Sequence, residues 1–263
     1  MMEDQSLSAE KITRALRTRN IGQRVLYYPQ LPSTMDVARE EAQHGAPQGT
    51  VIIADEQTAG RGRLKRDWLS PPGSISVSII VHPDLAYLPY LTMLAALAVY
   101  HAIAWVTGLQ PALKWPNDVL ANGKKVCGIL LESNIFEGKV SYAIIGIGLN
   151  VNVEISSFSE IPDTATSLSA EMGREMSRID IIMSLLEHFE RLYLKLPDGD
   201  DIFQEWQRRL TTLGQKVKVT SGGSTLTGIA ESVARDGSLL LRQADGSTTR
   251  IVAGDVTLRG FSG

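Results

Sequence analysis

A short basic loop is the segment of this chain whose residues are best suited to chemistry. The run GRGRLKRDW (60–68) carries Arg61, Arg63, Lys65 and Arg66. Guanidinium groups form planar forks that match carboxylate and phosphate oxygens, and glycine lets a backbone approach a ligand closely. These residues predict an anion clamp. Since four like charges repel one another in an empty loop, we expect it to order over a bound ligand as a lid does. At this point a solvated basic loop, or a loop that contacts nucleic-acid phosphates, is an equal alternative.

A second polar cluster, KWPNDV (114–119), lies at the end of a predicted strand. Pro116 restricts the backbone and keeps the preceding residue extended, which would aim Lys114 into a pocket. The alternative is a plain turn, in which Asn117 and Asp118 hydrogen-bond to their own backbone. Taken alone, the segment favours the turn.

Other common sites lack their sequence signatures. There is no GxxxxGK[ST] phosphate loop and no GxSxG nucleophile, and GIGLNV has Val151 where a dinucleotide site needs its third glycine. The four histidines are scattered, which argues against a histidine metal site. The single cysteine, Cys127, lies in an apolar run and is interpreted as a small core residue. One cysteine excludes an internal disulfide and fits a reducing, cytoplasmic setting.

The composition is that of an ordinary globular protein, with 263 residues, 43% hydrophobic, 21% charged and a net charge of −3. A broad nucleic-acid-binding face is not indicated, because such proteins usually carry a basic excess. The first twenty residues contain no apolar run, so no signal peptide is expected. The apolar stretch 91–106 is shorter than the ~20 residues that span a bilayer, so we predict a buried helix and no membrane partner.

Periodicity indicates the elements that must position the two clusters. In the second helix, Ser33 and Asp36 have the spacing of a capping box. The segment 74–80 alternates apolar residues with serine, which predicts a half-buried strand after a buried strand at 50–55. Asn122-Gly123 and Glu137-Gly138 predict two hairpins. Predicted helices cover residues 8–19, 33–45, 91–106, 177–196 and 201–210.

The composition changes near Thr212 to Gly214. Beyond that point the sequence predicts only short strands, with turns at Asp236-Gly237 and Asp245-Gly246. Such closely spaced strands are typical of a small SH3-like β-barrel. The chain therefore divides into an α+β domain and a small β domain.

Several segments resemble those of biotin protein ligases. GRGRLKRDW resembles the GRGRxGRxW loop of that family, KWPNDV resembles its KWPND segment, and PSTMDVA resembles the start of its STN helix. DEQTAGRGR resembles the run that places a glutamine just before the loop, and KKVCGILLE and GIGLNVN resemble the strands that follow. The order and spacing agree from about Val25 to Val153, and the β-rich tail resembles the family's SH3-like C-terminal domain. Two departures are Lys65 at a usual glycine and Met35 at a usual Asn or Asp.

This resemblance implies the fold and the activity. It implies a mixed-sheet α+β catalytic domain of the biotin/lipoate ligase type at 23–212, an SH3-like domain at 213–263 and a short N-terminal helix or extension at 1–22. The implied enzyme is an ATP-dependent ligase that uses ATP with Mg²⁺. It converts biotin to biotinyl-5′-AMP and transfers the biotinyl group to a lysine of a biotin carboxyl carrier protein. An exposed sheet edge also allows a homodimer.

The resemblance also implies which residues form the site. Lys114, as a catalytic residue with Arg63, would bridge the carboxylate of biotin and the α-phosphate of ATP. No protein side chain is assigned to a metal ion, and no base is assigned for the acceptor lysine. For Lys124 and Lys125 we favour the solvent side of a hairpin over contact with ligand. The implied biotin-binding residues are Ser33, Thr34, Met35, Gln57, Arg61, Gly62, Arg63 and Lys114. The implied adenylate-binding residues are Arg66, Trp68 and Asn117.

Three alternatives belong to other classes of protein. A DNA-binding regulator is not expected, since the two dozen residues before the resemblance allow one helix rather than a winged-helix module. Lipoate ligases and octanoyl transferases share the fold but typically lack the GRGR loop. A non-catalytic biotin-binding or SH3-type interaction protein would not need the phosphate-facing charges of Lys114, Arg63 and Arg66.

Overall fold

The structure, a computed structural model, describes residues 7–221 and 224–258, without the side chains of Lys65, Ser221 and Leu258. Part of the predicted N-terminal extension (1–6) and the last residues of the predicted C-terminal domain (259–263) lie outside the described residues.

Seven strands form one mixed sheet, which confirms the predicted α+β fold. Its order is β1-β2-β3-β7-β6-β5-β4, and β1 pairs with β2 in parallel while the other neighbours are antiparallel. Both predicted hairpin turns form with positive φ, at Asn122-Gly123 and at Glu137-Gly138. The strands are β1 (Val25–Leu31), β2 (Val51–Gln57), β3 (Ile75–Val81), β4 (Ala112–Lys114), β5 (Asp118–Ala121), β6 (Lys124–Phe136) and β7 (Lys139–Leu149).

The helices cover both faces of this sheet. The first is shorter than predicted, because the backbone becomes extended at Leu16. The short helix at 168–172 was not predicted. The helices are α1 (Ala9–Ala15), α2 (Thr34–Gln43), α3 (Tyr90–Thr107), α4 (Leu168–Met172), α5 (Arg178–Tyr193) and α6 (Gly199–Arg209).

Helix α3 lies at the centre of the main core. It packs between the sheet and helices α5 and α6, and most of its side chains are buried, as predicted for 91–106. By length and composition alone it is the one helix within 7–221 and 224–258 that could cross a membrane. Its burial inside the protein accounts for its apolar composition.

Strand β3 is buried on both faces, so the half-buried prediction is wrong. Its apolar residues, such as Val77, face the main core, as the alternation indicates. Its serine face is covered as well, because Ser78 lies against the start of α2 and Ser76 lies against Ser70. Serine hydroxyls that have a hydrogen-bond partner tolerate such burial, and alternation alone cannot reveal the second layer.

The C-terminal residues form a five-stranded antiparallel sheet of order β11-β10-β9-β8-β12, in agreement with the predicted small β domain. It is joined to the segment that carries Lys114. The backbone N–H of Trp115 donates to Thr212 Oγ1 (2.9 Å) and its indole N–H donates to the Gly237 carbonyl (2.7 Å). The strands are β8 (Lys216–Ser221), β9 (Ser224–Val233), β10 (Leu239–Arg242), β11 (Thr248–Ile251) and β12 (Asp255–Leu258).

A buried carboxylate anchors the segment before β1. Glu190 accepts backbone N–H groups from Arg19 (2.8 Å), Asn20 (2.6 Å) and Ile21 (2.8 Å). Glu190→Gln removes the charge from these bonds, and charged hydrogen bonds contribute about 1.5–3 kcal/mol each. We expect the free energy of unfolding in urea to fall by about 2–3 kcal/mol, and Glu187→Gln on the same helix to change it little. Equal losses in the two variants would contradict this role.

Two stacked histidines make stability depend on pH. His101 and His188 lie with ring centroids 5.3 Å apart, and Arg191 donates to His188 Nδ1 (2.6 Å). Burial, then the charges of Arg191 and His101, lowers the pKa of His188 to about 4. Its neutral form therefore stabilises the fold above the unfolded pKa of about 6.5, and this contribution is lost as pH falls through about 4. His188→Gln should show a smaller fall in Tm from about pH 7 to pH 4; parallel Tm curves would contradict this.

Candidate active site

A single cavity of about 530 Å³ collects the residues that the sequence singled out. It lies between the start of α2, the basic loop, the β4–β5 turn and strand β12. Every site residue predicted from the resemblance lines it, although the segments that carry them are far apart in the chain. The lining includes Ser33, Thr34, Met35, Gln57, Arg61, Gly62, Arg63, Arg66, Trp68, Lys114 and Asn117.

Three glycines form the floor of the cavity on β6 and β7. A Cβ at Gly148 would overlap the indole of Trp68, a Cβ at Gly128 would crowd the same ring, and a Cβ at Gly146 would lie 2.6 Å from Met35 Sδ. Because side chains are absent there, large groups can lie flat on the strands. The indole nitrogen of Trp68 is buried without a hydrogen-bond partner.

A polar corner stands beside this floor, at the start of α2. The backbone N–H and the hydroxyl of Thr34 both donate to Gln57 Oε1, at 2.8 and 3.1 Å. Ser33 is 1% exposed and its hydroxyl has no partner. The predicted capping box is therefore wrong, since Ser33 does not cap α2 through its side chain and Asp36 binds arginines instead. The unpartnered hydroxyl is left for a ligand.

Carboxylates hold the first arginine of the basic loop. Arg61 lies 2.6 Å from Asp36 Oδ1 and 3.4 Å from Glu132 Oε1. Arg39 contacts the same two carboxylates, at 2.8 and 2.6 Å. Part of the repulsion expected among the loop cations is thus offset by a network of alternating charges.

The loop backbone closes as a tight hairpin. The Gly62 N–H donates to the Arg66 carbonyl (2.7 Å), and the Trp68 N–H donates to the Gly60 carbonyl (2.8 Å). Within this turn the left-handed backbone (φ 55°) falls on Leu64 rather than on Lys65, where the family has its glycine. The side chain of Lys65 lies outside the described part of the chain. Whether the loop orders on ligand binding stays a prediction.

The other two arginines reach the small sheet. Arg63 Nη1 donates to Asn117 Oδ1 (3.0 Å) and to the Gly254 carbonyl (3.4 Å), and Arg66 pairs with Asp255 on β12. Burial lowers the pKa of Arg63, and the negative charge of Asp255 partly offsets this shift. An arginine keeps its charge despite such a shift. Two cationic forks therefore face the cavity beside an acidic side chain of the other sheet.

Two lysines line the cavity from β4 and β6, the strands on either side of β5. Lys114 ends β4, opposite Asp118 in the register of the sheet. Lys125 Nζ lies 2.7 Å from Asp118 Oδ1 and 5.4 Å from the centroid of the Trp68 ring. The solvent-side prediction holds for Lys124, which is exposed, but is wrong for Lys125.

Sequence reasoning missed several lining residues besides Lys125. The register of the β5–β6 pairing shifts at a bulge between Val119 and Leu120 that was not predicted. Strand alternation therefore could not show on which face of the sheet Lys125 lies. Nothing in the sequence indicated that the second sheet reaches the cavity. The missed residues include Asp118, Gly128, Gly146, Gly148, Thr220, Asp255, Val256 and Thr257.

The cavity suits an elongated ligand with a neutral polar end and an anionic end. Ser33, Thr34 and Gln57 offer uncharged hydrogen-bonding groups at one place, and the arginines and lysines offer positive charge elsewhere. Among residues 7–221 and 224–258, no three His, Cys, Asp or Glu side chains are grouped to hold a metal ion.

Two family models match the chain. The Biotin/lipoate A/B protein ligase family matches residues 27–150, and the Biotin protein ligase C terminal domain matches residues 212–259. The first match contains the polar corner, the basic loop and both lysines. The second contains strand β12, which carries Asp255.

Relatives cover most of the chain. It is 39% identical over 258 residues to the Bifunctional ligase/repressor BirA of Bacillus subtilis, a match that covers 96% of this chain and 79% of that protein. It is 33% identical over 199 residues to the Biotin--[acetyl-CoA-carboxylase] ligase of Paracoccus denitrificans, a match that covers 73% of this chain and 83% of that protein. A solved structure, a biotin protein ligase from Aquifex aeolicus in complex with biotin and ATP, has a TM-score of 0.75 at 29% identity and covers 90% of this chain and 99% of that one.

Proposed function

The chain belongs to the biotin protein ligase family of ATP-dependent ligases, and we propose that it biotinylates a carrier protein in two steps. First, a carboxylate oxygen of biotin bonds to the α-phosphorus of ATP while the bond to pyrophosphate breaks, giving biotinyl-5′-AMP. Then the neutral amine of a carrier lysine attacks the acyl carbon, loses a proton and displaces AMP. The observation that carries this proposal is the single cavity that joins an uncharged polar corner to a cluster of cations.

The polar corner suits the ureido head of biotin. That head is neutral and needs hydrogen-bond partners in a dry pocket. The free hydroxyl of Ser33 and the amide of Gln57 supply them, with Thr34 between. Met35, which rests on Gly146, adds an apolar wall.

The cations suit the reacting anions. Biotin carboxylate and ATP repel each other until fixed positive charge holds both, and charge that develops in the transition state is stabilised by preorganised donors. Lys114 bridges the carboxylate and the α-phosphate in this proposal, and Lys125, which also lines the cavity, supplies a second cation. Arg63 and Arg66 contact the phosphates, and Asn117 orients Arg63.

Trp68 and the basic loop shield the adenylate. A mixed anhydride hydrolyses in water, so the site must exclude water until the carrier lysine arrives. The loop hairpin covers the floor glycines through Trp68, and the Arg66–Asp255 pair joins it to β12. Arg61, held by Asp36 and Glu132, contacts the arm of biotin from the same loop.

The remaining partners are part of the same proposal. Mg²⁺ enters with ATP as part of the substrate, since it prefers phosphate oxygens, water and one or two carboxylates. The acceptor is a biotin carboxyl carrier domain in the cytoplasm, and a homodimer would pair through a sheet edge. The expectations of no DNA and no membrane partner stay predictions. The repressor activity in the name of the Bacillus subtilis relative is not transferred to this chain.

Isothermal titration with biotin, followed by Mg²⁺–ATP and mass analysis of the bound product, tests the proposal. We expect biotin to bind and biotinyl-5′-AMP to form. Biotin binding without adenylate formation would indicate a biotin-binding protein and contradict the proposed ligase activity. Turnover of lipoate or octanoate in place of biotin would assign the chain to the lipoate branch of the fold.

A further inference from the structure

Ser78 is a buried residue beneath the polar corner that does not line the cavity. It lies on β3, is 0% exposed and donates its hydroxyl hydrogen to Thr34 Oγ1 at 2.8 Å. Thr34 in turn donates its hydroxyl hydrogen to Gln57 Oε1 at 3.1 Å. The three side chains form a directed chain of hydrogen bonds that runs from the sheet to the cavity.

The direction of this chain determines what Thr34 and Gln57 can offer. A hydroxyl has one hydrogen and two lone pairs. Because Thr34 accepts from Ser78 and spends its hydrogen on Gln57, it has only a lone pair left for a ligand. Gln57 Oε1 already accepts two bonds from Thr34, so the amide of Gln57 presents its NH₂ group. Thr34 is thus an acceptor and Gln57 a donor.

We propose that Ser78 is a positioning residue that sets the hydrogen-bond polarity of the biotin pocket. This inference rests on the proposed function. An acceptor beside a donor complements adjacent N–H and C=O groups of a ureido ring. Without Ser78, the Thr34 hydroxyl is free to rotate and donate toward the ligand. The pocket then no longer favours a ligand N–H over an oxygen next to Thr34.

A second serine on the same strand supplies a matched control. Ser76 is also buried, and its hydroxyl bonds to Ser70 Oγ at 2.6 Å rather than to the side chain of Thr34 or Gln57. Ser76→Ala and Ser78→Ala therefore remove the same group from the same buried face of β3. Only the second change breaks the chain that leads to the cavity.

The test is the affinity of each variant for biotin and for its two cyclic carbamate analogues, in each of which oxygen replaces one ureido N–H. Wild type should prefer biotin to both analogues. Ser78→Ala should bind biotin about 5–10-fold more weakly, the effect of one neutral hydrogen bond. Its preference for biotin over one analogue should fall about tenfold, because Thr34 can now donate to the ring oxygen. Ser76→Ala should keep the wild-type preference.

Two further variants protect the test against misfolding. Ser78→Thr keeps a hydroxyl and should restore the preference. In a Thr34→Val background, Ser78→Ala should change the preference no further, because the residue it acts through is gone. The inference about Ser78 alone would be overturned if wild type binds biotin but Ser78→Ala and Ser76→Ala weaken binding equally and leave the preference over the analogues unchanged. Wild type that does not bind biotin would overturn the proposed function instead.

Discussion

Replacement of Lys114 or Lys125 by alanine should lower kcat/KM for biotinyl-5′-AMP formation by about 10²–10³-fold, as the loss of one preorganised transition-state donor does. Both side chains line the cavity, from β4 and β6, on either side of Asp118 of β5. Negative charge develops on the phosphate oxygens during attack. Among the described residues that line the cavity, no other lysine can stabilise it. Pyrophosphate release under limiting biotin measures the effect.

Lys124→Ala is the control for this pair of variants. Lys124 lies on the same hairpin as Lys125 but is exposed to solvent, so its loss should change the rate little. Comparison of the two cavity lysines also separates their roles, because the residue that contacts both reacting groups should show the larger fall in kcat. If Lys114→Ala or Lys125→Ala were as active as Lys124→Ala, the replaced lysine would have no role in adenylate formation.

Replacement of Arg63 by alanine should release biotinyl-5′-AMP about 10–100-fold faster. A hydrogen bond to a charged group contributes about 1.5–3 kcal/mol, and about 1.4 kcal/mol corresponds to tenfold. Arg63 also links Asn117 to the Gly254 carbonyl, so its loss loosens the contact between the loop and the small sheet. Adenylate released into a filtrate during single turnover gives the rate.

Two variants make the Arg63 result specific. Arg63→Lys keeps the charge but loses the planar fork, so release should be intermediate. Arg24→Ala removes an arginine that pairs with Glu41 on the surface and does not line the cavity, so release should match that of wild type. Unchanged release in Arg63→Ala would mean that the loop does not retain the adenylate.

The sequence was a good guide to the cavity because its local signals agree with the fold. The basic loop follows a strand that periodicity identifies, and Pro116 marks the turn that presents Lys114. Hairpin turns at Asn122-Gly123 and Glu137-Gly138 have the residues that positive φ favours, so the order of β5, β6 and β7 followed from them. Each of these signals lies within a few residues of the feature it predicts.

Interactions between distant segments explain what was missed. Ser33 has the sequence of a cap, yet its hydroxyl makes no hydrogen bond to the helix, and Asp36 pairs with arginines of α2 and the loop instead. The serines of β3 suggest exposure, but Ser76 and Ser78 are buried, with hydroxyl partners on neighbouring segments. Asp255 reaches the loop from the other sheet, and no local pattern encodes such a contact.

The most direct test of the central claim is transfer of biotin to a carrier. The full chain is incubated with biotin, Mg²⁺–ATP and a biotin carboxyl carrier domain, and the mass of the carrier is measured with and without ATP. We expect one biotinyl group to be added to a single carrier lysine, only with ATP, with one AMP and one pyrophosphate released per transfer. An unmodified carrier in the presence of bound biotin and ATP would contradict the assignment of this cavity as a ligase active site.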